Sequence, residues 1–130
     1  IENCARIVDA AGRAGVPNGH LFFDPLALPL SADISQAQVT FDTIRGIMQR
    51  FPDAHTTCGL SNISYGLTKR ARVNGAFLTT AIVLGLDSAI CDPTRPSVMQ
   101  AIRLGELLAG SDRYCRRFTR AARQGLFDPK

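Results

Sequence analysis

The sequence has 130 residues, of which 45% are hydrophobic, and 15 Lys and Arg against 11 Asp and Glu leave a net charge of +4. This hydrophobic share supports a packed core and excludes a disordered segment. No apolar stretch reaches the ~18 to 20 uncharged residues that span a bilayer, because Asp87 interrupts the longest one, residues 75–91. The composition therefore predicts a soluble domain with no membrane span.

The first predicted elements are a helix and a short strand. Apolar residues at helical spacing predict a helix over residues 1–14, which Gly15 and Pro17 end. The apolar run 21–23 predicts a buried strand that ends at Asp24-Pro25, because proline cannot continue strand pairing. A proline-containing loop follows as far as Ser35.

The same alternation continues through the middle of the chain. Apolar residues over 41–51 fall at helical spacing, and Pro52 closes this second helix. Residues 55–58 are rich in β-branched side chains and predict a second strand. The turn residues 59–62 form the loop that follows it.

The last third of the chain repeats the pattern. The remaining predicted elements are a helix over 73–84 with Gly85 as its C-cap, a strand over 88–91 that ends in Asp92-Pro93, a helix over 98–108 and a basic terminal helix over 111–124. The order αβαβαβαα with short connections predicts parallel strands joined by helical crossovers. The fold class is therefore predicted to be α/β.

Polar residues follow all three predicted strands. Asp24 and Asn62 are 38 residues apart, and Asn62 and Asp92 are 30 residues apart, close to the roughly 31 residues per unit of a (β/α)₈ barrel. Such barrels bind ligands at the carboxyl ends of their strands. An open doubly wound sheet is the alternative, but no glycine-rich phosphate-binding turn follows the first strand. We therefore predict about four units of a TIM (β/α)₈ barrel.

Each of these polar residues has a functional and a structural interpretation. The Asp24 carboxylate accepts two adjacent N–H donors of a ligand, or it ends a strand before proline. Asn62 both donates and accepts hydrogen bonds towards a ligand, or it occupies a left-handed turn. For Asp92 a structural role is favoured. Lys69, Arg70 and Arg72 either meet an anionic substrate tail or are simply solvated.

The cysteines and histidines offer weaker candidates. Cys4, Cys58, Cys91 and Cys115 show neither a CxxC pair nor metal-ligand spacing, so free thiols in a reducing cytoplasm are favoured over disulfides. Cys58 lies beside the candidate site, but a buried thiol is favoured over a nucleophile because no histidine adjoins it. The two histidines, His20 and His55, precede strands and are expected at the end opposite the ligand.

The terminal segment is strongly basic. It carries five arginines, most of them three or four residues apart: Arg113, Arg116, Arg117, Arg120 and Arg123. This spacing predicts a cationic helix face. Tyr114 and Phe118 are expected to pack that helix onto the body of the protein rather than to stack on bases, so nucleic-acid binding is not favoured.

Two separated motifs resemble one enzyme family. One comprises residues 57–67 (TCGLSNISYGL) and continues through Arg70, Asn74, residues 77–78 (FL) and residues 85–92 (GLDSAICD); the other is residues 23–29 (FDPLALP). Together they resemble the pterin-binding methyltransferases that move a methyl group from methyltetrahydrofolate to a corrinoid (iron–sulfur) protein. Dihydropteroate synthases and the folate region of cobalamin-dependent methionine synthases are similar in fold but differ in the corresponding turns. The resemblance maps the chain onto the C-terminal half of the family's TIM barrel.

The resemblance implies a role for each matching residue. Asp24 aligns with the aspartate that binds the pterin, Asn62 with the catalytic asparagine near the methyl-bearing nitrogen, and Arg70 with an arginine near the folate tail. The Asn62 amide would accept a hydrogen bond from the protonated pterin nitrogen as the carbon–nitrogen bond breaks. The implied cofactors are methyltetrahydrofolate and a corrinoid (cobalamin) carried by a partner protein, so no metal bound by this chain is expected.

The resemblance also predicts what the chain lacks. The family's other pterin contacts, an Asp and an Asn on earlier strands, have no counterpart here, so the chain holds part of a site. Three strands with an unclosed edge and apolar faces are not expected to be stable alone, so missing residues or a second copy, as in a homodimer, should cover the opening. The alternatives are a non-catalytic folate-binding module or half-barrel, and a dihydropteroate synthase-like enzyme.

Overall fold

The computed structural model describes residues 1–129. Its elements in chain order are α1 (Glu2–Arg13), β1 (Phe22–Phe23), α2 (Gln36–Arg50), β2 (His55–Gly59), α3 (Arg70–Val83), β3 (Ser88–Ile90), α4 (Pro96–Leu108) and α5 (Arg116–Arg123). Short 3₁₀ turns lie at Asn18–His20, Leu60–Asn62 and Arg113–Cys115. This order confirms the predicted alternation of helices and strands.

The three strands form one parallel sheet in the order β1-β2-β3. Phe23 pairs with Thr56 across the first pair of strands, and Cys58 pairs with Ala89 across the second. Because α2 and α3 are the connections between successive parallel strands, the predicted α/β class with helical crossovers is confirmed.

The hydrophobic core lies between the sheet and the helices. One cluster of buried side chains joins β2 to the following turn and to α3, and it includes Cys58, Leu60, Ile63, Phe77 and Leu78. A smaller cluster packs β1 against α2 through Phe23, Ile47, Phe51 and Ala54. The helices therefore cover the sheet face to which Phe23 and Cys58 belong.

The opposite face of the sheet is uncovered within residues 1–129. Alternation along the parallel strands places Phe22, His55, Thr57, Gly59, Ser88 and Ile90 on this open face. Phe22 is 58% exposed and Ile90 is 74% exposed, although both belong to strands of the sheet. A parallel sheet normally has both faces covered, so this open face sets the sheet apart from most parallel sheets.

The terminal helix is shorter than predicted. Tyr114 and Cys115 have φ values of 59° and 55°, so the chain turns there and α5 begins only at Arg116. Phe118 packs against Phe127 of the segment that follows α5, with ring centroids 5.0 Å apart. The expectation for Tyr114 is wrong, because its side chain is 77% exposed. Asp112 caps the helix that begins after this break, because its carboxylate accepts the N–H groups of Arg117 and Phe118, the second and third residues of α5.

None of the helices within residues 1–129 combines the length and the hydropathy that crossing a membrane requires.

Candidate functional site

The candidate site lies where β1 and β2 end. Two segments form it, residues 24–31 after β1 and residues 60–66 after β2, and we call them the first and second rim loops. Backbone and side-chain hydrogen bonds join the loops: the N–H of Leu30 donates to the carbonyl of Ile63 at 3.0 Å, and the Ser31 hydroxyl donates to the carbonyl of Tyr65 at 2.6 Å. The two predicted ligand-binding motifs therefore form one surface.

The Asn62 side chain is oriented by the first rim loop. Its Nδ2 donates to the carbonyl oxygen of Ala27 at 2.8 Å. Because a carbonyl oxygen only accepts hydrogen bonds, this contact determines which end of the amide is the nitrogen. No group within residues 1–129 donates to Oδ1, and the residue is exposed. The Oδ1 of Asn62 is therefore an exposed hydrogen-bond acceptor without a donor among residues 1–129.

Asp24 has the structural role that the sequence offered for it, and one of its oxygens stays unpaired within residues 1–129. Its Oδ1 accepts the backbone N–H of Leu26 at 2.8 Å, in a tight turn that holds Leu26 at a φ of 58°. Its second carboxylate oxygen has no hydrogen-bond partner among residues 1–129. One oxygen thus shapes the loop, and the other is available to a ligand that carries an N–H.

Arg70 binds the second rim loop. From the first turn of α3, its Nε donates to the Ser64 hydroxyl at 3.0 Å and its Nη2 donates to the carbonyl of Ser61 at 2.7 Å. Ser64 is fully buried. Nη1 has no partner in the described part of the chain, so the guanidinium group also retains donors that can meet a ligand.

Cys58 is the buried thiol that the sequence predicted. It is fully buried beneath the rim loops. Burial, with smaller contributions from the nearby Asp24 charge and from Cys91, raises the pKa of the thiol to about 11. Since the thiolate is the nucleophilic form of cysteine, Cys58 is protonated and unreactive near neutral pH.

Asp92 has the structural role that was favoured for it. Its Oδ1 accepts the backbone N–H of Thr94 at 3.0 Å and the hydroxyl of the same residue at 2.6 Å. These two hydrogen bonds hold the pKa of the Asp92 carboxyl below its usual value. The carboxylate therefore shapes the turn that leads to α4.

The histidines lie away from the rim loops, as predicted. His20 ends a 3₁₀ turn ahead of β1, and His55 is the first residue of β2. The Nδ1 of His55 lies 2.6 Å from the Oδ2 of Asp87. Both histidines are thus at the amino end of the sheet.

Several contacts that build the site have no sequence signal. The acceptor for Asn62 is the backbone of Ala27, and the acceptors for Arg70 include the backbone of Ser61. Every residue type has a backbone carbonyl, so the sequence does not reveal which carbonyl accepts these hydrogen bonds. Only the donor side chains, Asn62 and Arg70, can be recognised in it. No group of three or more His, Cys, Asp and Glu side chains in residues 1–129 is arranged to hold a metal ion.

Comparisons with known proteins give a consistent result. A methylcorrinoid:tetrahydrofolate methyltransferase of Eubacterium limosum is 37% identical over 130 residues, which cover 99% of this chain and 48% of that protein. A methionine synthase of Mycobacterium tuberculosis is 34% identical over 109 residues, 78% of this chain and 9% of that protein. A methionine synthase of Mycobacterium leprae is 35% identical over 97 residues, 69% of this chain and 8% of that protein.

The match covers only part of each relative. The chain spans about half the length of the Eubacterium limosum protein and less than a tenth of each methionine synthase. No protein-family model matches the chain.

Proposed function

We propose that this chain belongs to the methyltetrahydrofolate:corrinoid methyltransferase family, a proposal supported by its 37% identity to the Eubacterium limosum methyltransferase, and that it forms the C-terminal part of a pterin-binding (β/α)₈ barrel that moves a methyl group from methyltetrahydrofolate to a corrinoid protein. The observation that carries the proposal is the orientation of Asn62. Its amide nitrogen donates to the carbonyl of Ala27, and its amide oxygen has no hydrogen-bond donor in residues 1–129. That arrangement suits a ligand nitrogen that carries a proton.

The role of Asn62 follows from the chemistry of the methyl donor. A neutral tertiary amine is a poor source of a methyl cation, so the pterin nitrogen must be protonated while the carbon–nitrogen bond breaks. The bonding electrons stay on that nitrogen, which leaves the reaction as a secondary amine. The corrinoid, held by the partner protein, would supply reduced cobalt, whose electron pair would form the new bond to the methyl carbon. The Oδ1 of Asn62 accepts the N–H of the protonated nitrogen and stabilises it.

Asp24 and Arg70 complete the part of the site that this chain supplies. The second oxygen of Asp24 accepts an N–H of the pterin ring, and an ionised acceptor strengthens such a bond. The unpartnered Nη1 of Arg70 is a donor for the carboxylate tail of the folate. The open face beside these residues leaves room for the ring, since a Cβ added to Gly59 would meet no atom within 4 Å.

Other residues must supply the rest of the barrel. The open face, with Phe22 and Ile90 exposed, would become the barrel interior when further strands close the sheet. We propose that strands outside these 130 residues carry the remaining pterin contacts. The proposed partners are the corrinoid protein and a second copy of the whole protein, and the proposed location is the cytoplasm.

The direction of transfer is part of the proposal. The name of the Eubacterium limosum relative places the methyl group on the corrinoid and makes tetrahydrofolate the acceptor. A hydrogen bond to the same pterin nitrogen assists both directions, because forward and reverse reactions share one transition state. Both directions should therefore be assayed.

The direct test uses the whole protein that contains this chain. We expect methyltetrahydrofolate and a reduced corrinoid protein to lose the cobalt(I) absorption when the enzyme is added, and methylcorrinoid and tetrahydrofolate to show the reverse reaction. No spectral change in either direction would refute the proposal. Tight folate binding without turnover would favour the non-catalytic module, and turnover of a pterin pyrophosphate would favour the dihydropteroate synthase-like alternative.

Asn62→Ala tests the assigned role. Loss of one hydrogen bond made in the transition state lowers the rate by about 100- to 1,000-fold, while pterin affinity measured by titration should change only a few-fold. Asn18→Ala is the matched control, because Asn18 lies in the turn ahead of β1, at the opposite end of the sheet. Equal losses of rate and affinity in Asn62→Ala would contradict a role in the chemical step.

A further inference from the structure

The backbone on both sides of Asn62 is held by long-range contacts. The carbonyl before it, that of Ser61, accepts the Nη2 of Arg70 at 2.7 Å. The carbonyl after it, that of Ile63, accepts the N–H of Leu30 at 3.0 Å. These contacts restrain the backbone from which the Asn62 side chain extends, and the bond from its Nδ2 to the carbonyl of Ala27 then sets the direction of the amide.

Arg70 connects this turn to the core of the protein. It is the first residue of α3, a helix of 14 residues that buries Phe77, Leu78 and Ala81. Its Nε donates to Ser64 at 3.0 Å, and the Ser64 side chain is fully buried. The guanidinium plane thus binds two points of the second rim loop at once, which a single lysine nitrogen on a flexible stem does not reproduce.

We propose that Arg70 and Ser64 are a positioning pair: they hold the turn that carries Asn62, and Arg70 controls the rate of methyl transfer through Asn62 more than it controls affinity for the folate tail. This inference rests on the proposed function. Two of the three guanidinium nitrogens of Arg70 are bonded within the loop, and only the remaining donors face a ligand. More of the hydrogen bonds of Arg70 therefore hold the turn than are available to the folate tail.

The test compares Arg70→Lys and Ser64→Ala on two methyl donors, methyltetrahydrofolate and a methyltetrahydropterin without the benzoylglutamate tail. If the pair positions Asn62, both variants lower kcat by about 10- to 100-fold, as expected for small displacements of a reacting group. The loss should be the same factor on both donors, with KM nearly unchanged. The double variant should be no worse than the more damaged single variant, because the two residues act as one unit.

The opposite pattern would overturn the proposal. If Arg70 acts mainly on the tail, Arg70→Lys raises KM for methyltetrahydrofolate only, and Ser64→Ala has no effect. Arg72→Lys is the matched control, because Arg72 lies in the same helical turn and is exposed. Added methylguanidine should restore kcat in Arg70→Ala without a change in KM. Such rescue would show that the variant is folded and lacks only the guanidinium group that positions the turn.

Hydrogen exchange tests the positioning pair without activity. The N–H of Tyr65 donates to the carbonyl of Asn62, and that of Leu67 donates to the carbonyl of Ser64. We expect both amides to exchange at least tenfold faster in Arg70→Lys and Ser64→Ala than in the wild-type protein or in Arg72→Lys. Unchanged exchange would refute the pair. An inactive wild-type protein with these exchange differences would refute the proposed function and leave the pair standing.

Discussion

Polar residues at the two ends of the sheet differ in how many of their hydrogen bonds are made within the protein. At the amino end, Asp87 uses both carboxylate oxygens, one towards Nδ1 of His55 at 2.6 Å and one from the N–H of Thr56 at 2.9 Å. The fully buried Thr56 hydroxyl donates to the carbonyl of Gly85 at 3.0 Å. At the carboxyl end, Asp24 and Asn62 each use one polar atom within the protein and leave another without a partner in residues 1–129.

This difference separates stabilising groups from binding groups. Polar atoms that are paired with each other within the protein, such as those of Asp87 and Thr56, stabilise the fold and have no free hydrogen-bonding capacity for a ligand. Exposed atoms that are oriented by one hydrogen bond and unpaired at the other can bind a ligand without a rearrangement of the protein. The residue type does not distinguish the two cases, since an aspartate occupies both ends; the number of satisfied hydrogen bonds does.

Among substitutions that test this difference between the two ends, Asp24→Asn is expected to have the largest effect, a loss of pterin affinity. The amide oxygen of Asn can still accept the Leu26 N–H, so the turn is kept, but the second carboxylate oxygen and the charge are lost. Because a hydrogen bond to a charged group is worth about 1.5 to 3 kcal/mol, pterin affinity should fall about 10- to 100-fold at unchanged stability. Titration calorimetry and thermal unfolding check both parts. An unchanged Kd would show that the second oxygen does not bind the ligand.

Asp87→Ala should have the reverse effect: it should lower stability and leave ligand binding and activity unchanged. It leaves the N–H of the fully buried Thr56 without its acceptor, which costs about 2 kcal/mol of unfolding free energy, whereas kcat and Kd should stay at wild-type values. Denaturant unfolding of the whole protein measures the loss. Asp87→Asn is the control, because it keeps an acceptor for Thr56 and should cost less. A lower kcat in a fully folded Asp87→Ala variant would show that the amino end of the sheet affects the site at the carboxyl end.

The smallest effect concerns Asp112, a second fully paired carboxylate. Its oxygens accept the N–H groups of Arg117 and Phe118, each at 2.9 Å. Burial opposes ionisation of Asp112, but these two hydrogen bonds and the positive charges of Arg117 and Arg103 outweigh burial, so the pKa of the carboxyl lies below its ordinary value of 3.8.

The sign of this shift determines the pH dependence. The stabilisation is fully present above the ordinary pKa of 3.8 and is lost as the pH falls through the lower pKa of the folded state. The difference in Tm between the wild-type protein and Asp112→Asn should therefore be constant near neutral pH and shrink in strong acid. A difference that does not depend on pH would show that the ionised carboxylate is not what caps α5.

Much of the fold could be predicted from local patterns. Helical spacing and β-branched runs placed the helices and strands in order, and the turn signals put Asp24 and Asn62 just beyond β1 and β2. The beginning of α3 at Arg70 rather than Val73 could not be predicted, because Lys69 adopts a left-handed conformation with a φ of 54° that no glycine or asparagine marks. The break at Tyr114 and Cys115 was missed for the same reason.

The sequence by itself determined the alternation of helices and strands and the residue types at the strand ends, because these depend on spacing between near neighbours along the chain. The parallel direction of the strands followed from the helical connections between them. Only the tertiary structure decided which atoms of those residues remain available. The amide of Asn62 is oriented by Ala27, 35 residues away, and the turn around it is held by Arg70 and Leu30. Such bonds form only after the two rim loops have been brought together by the packing of β1 and β2.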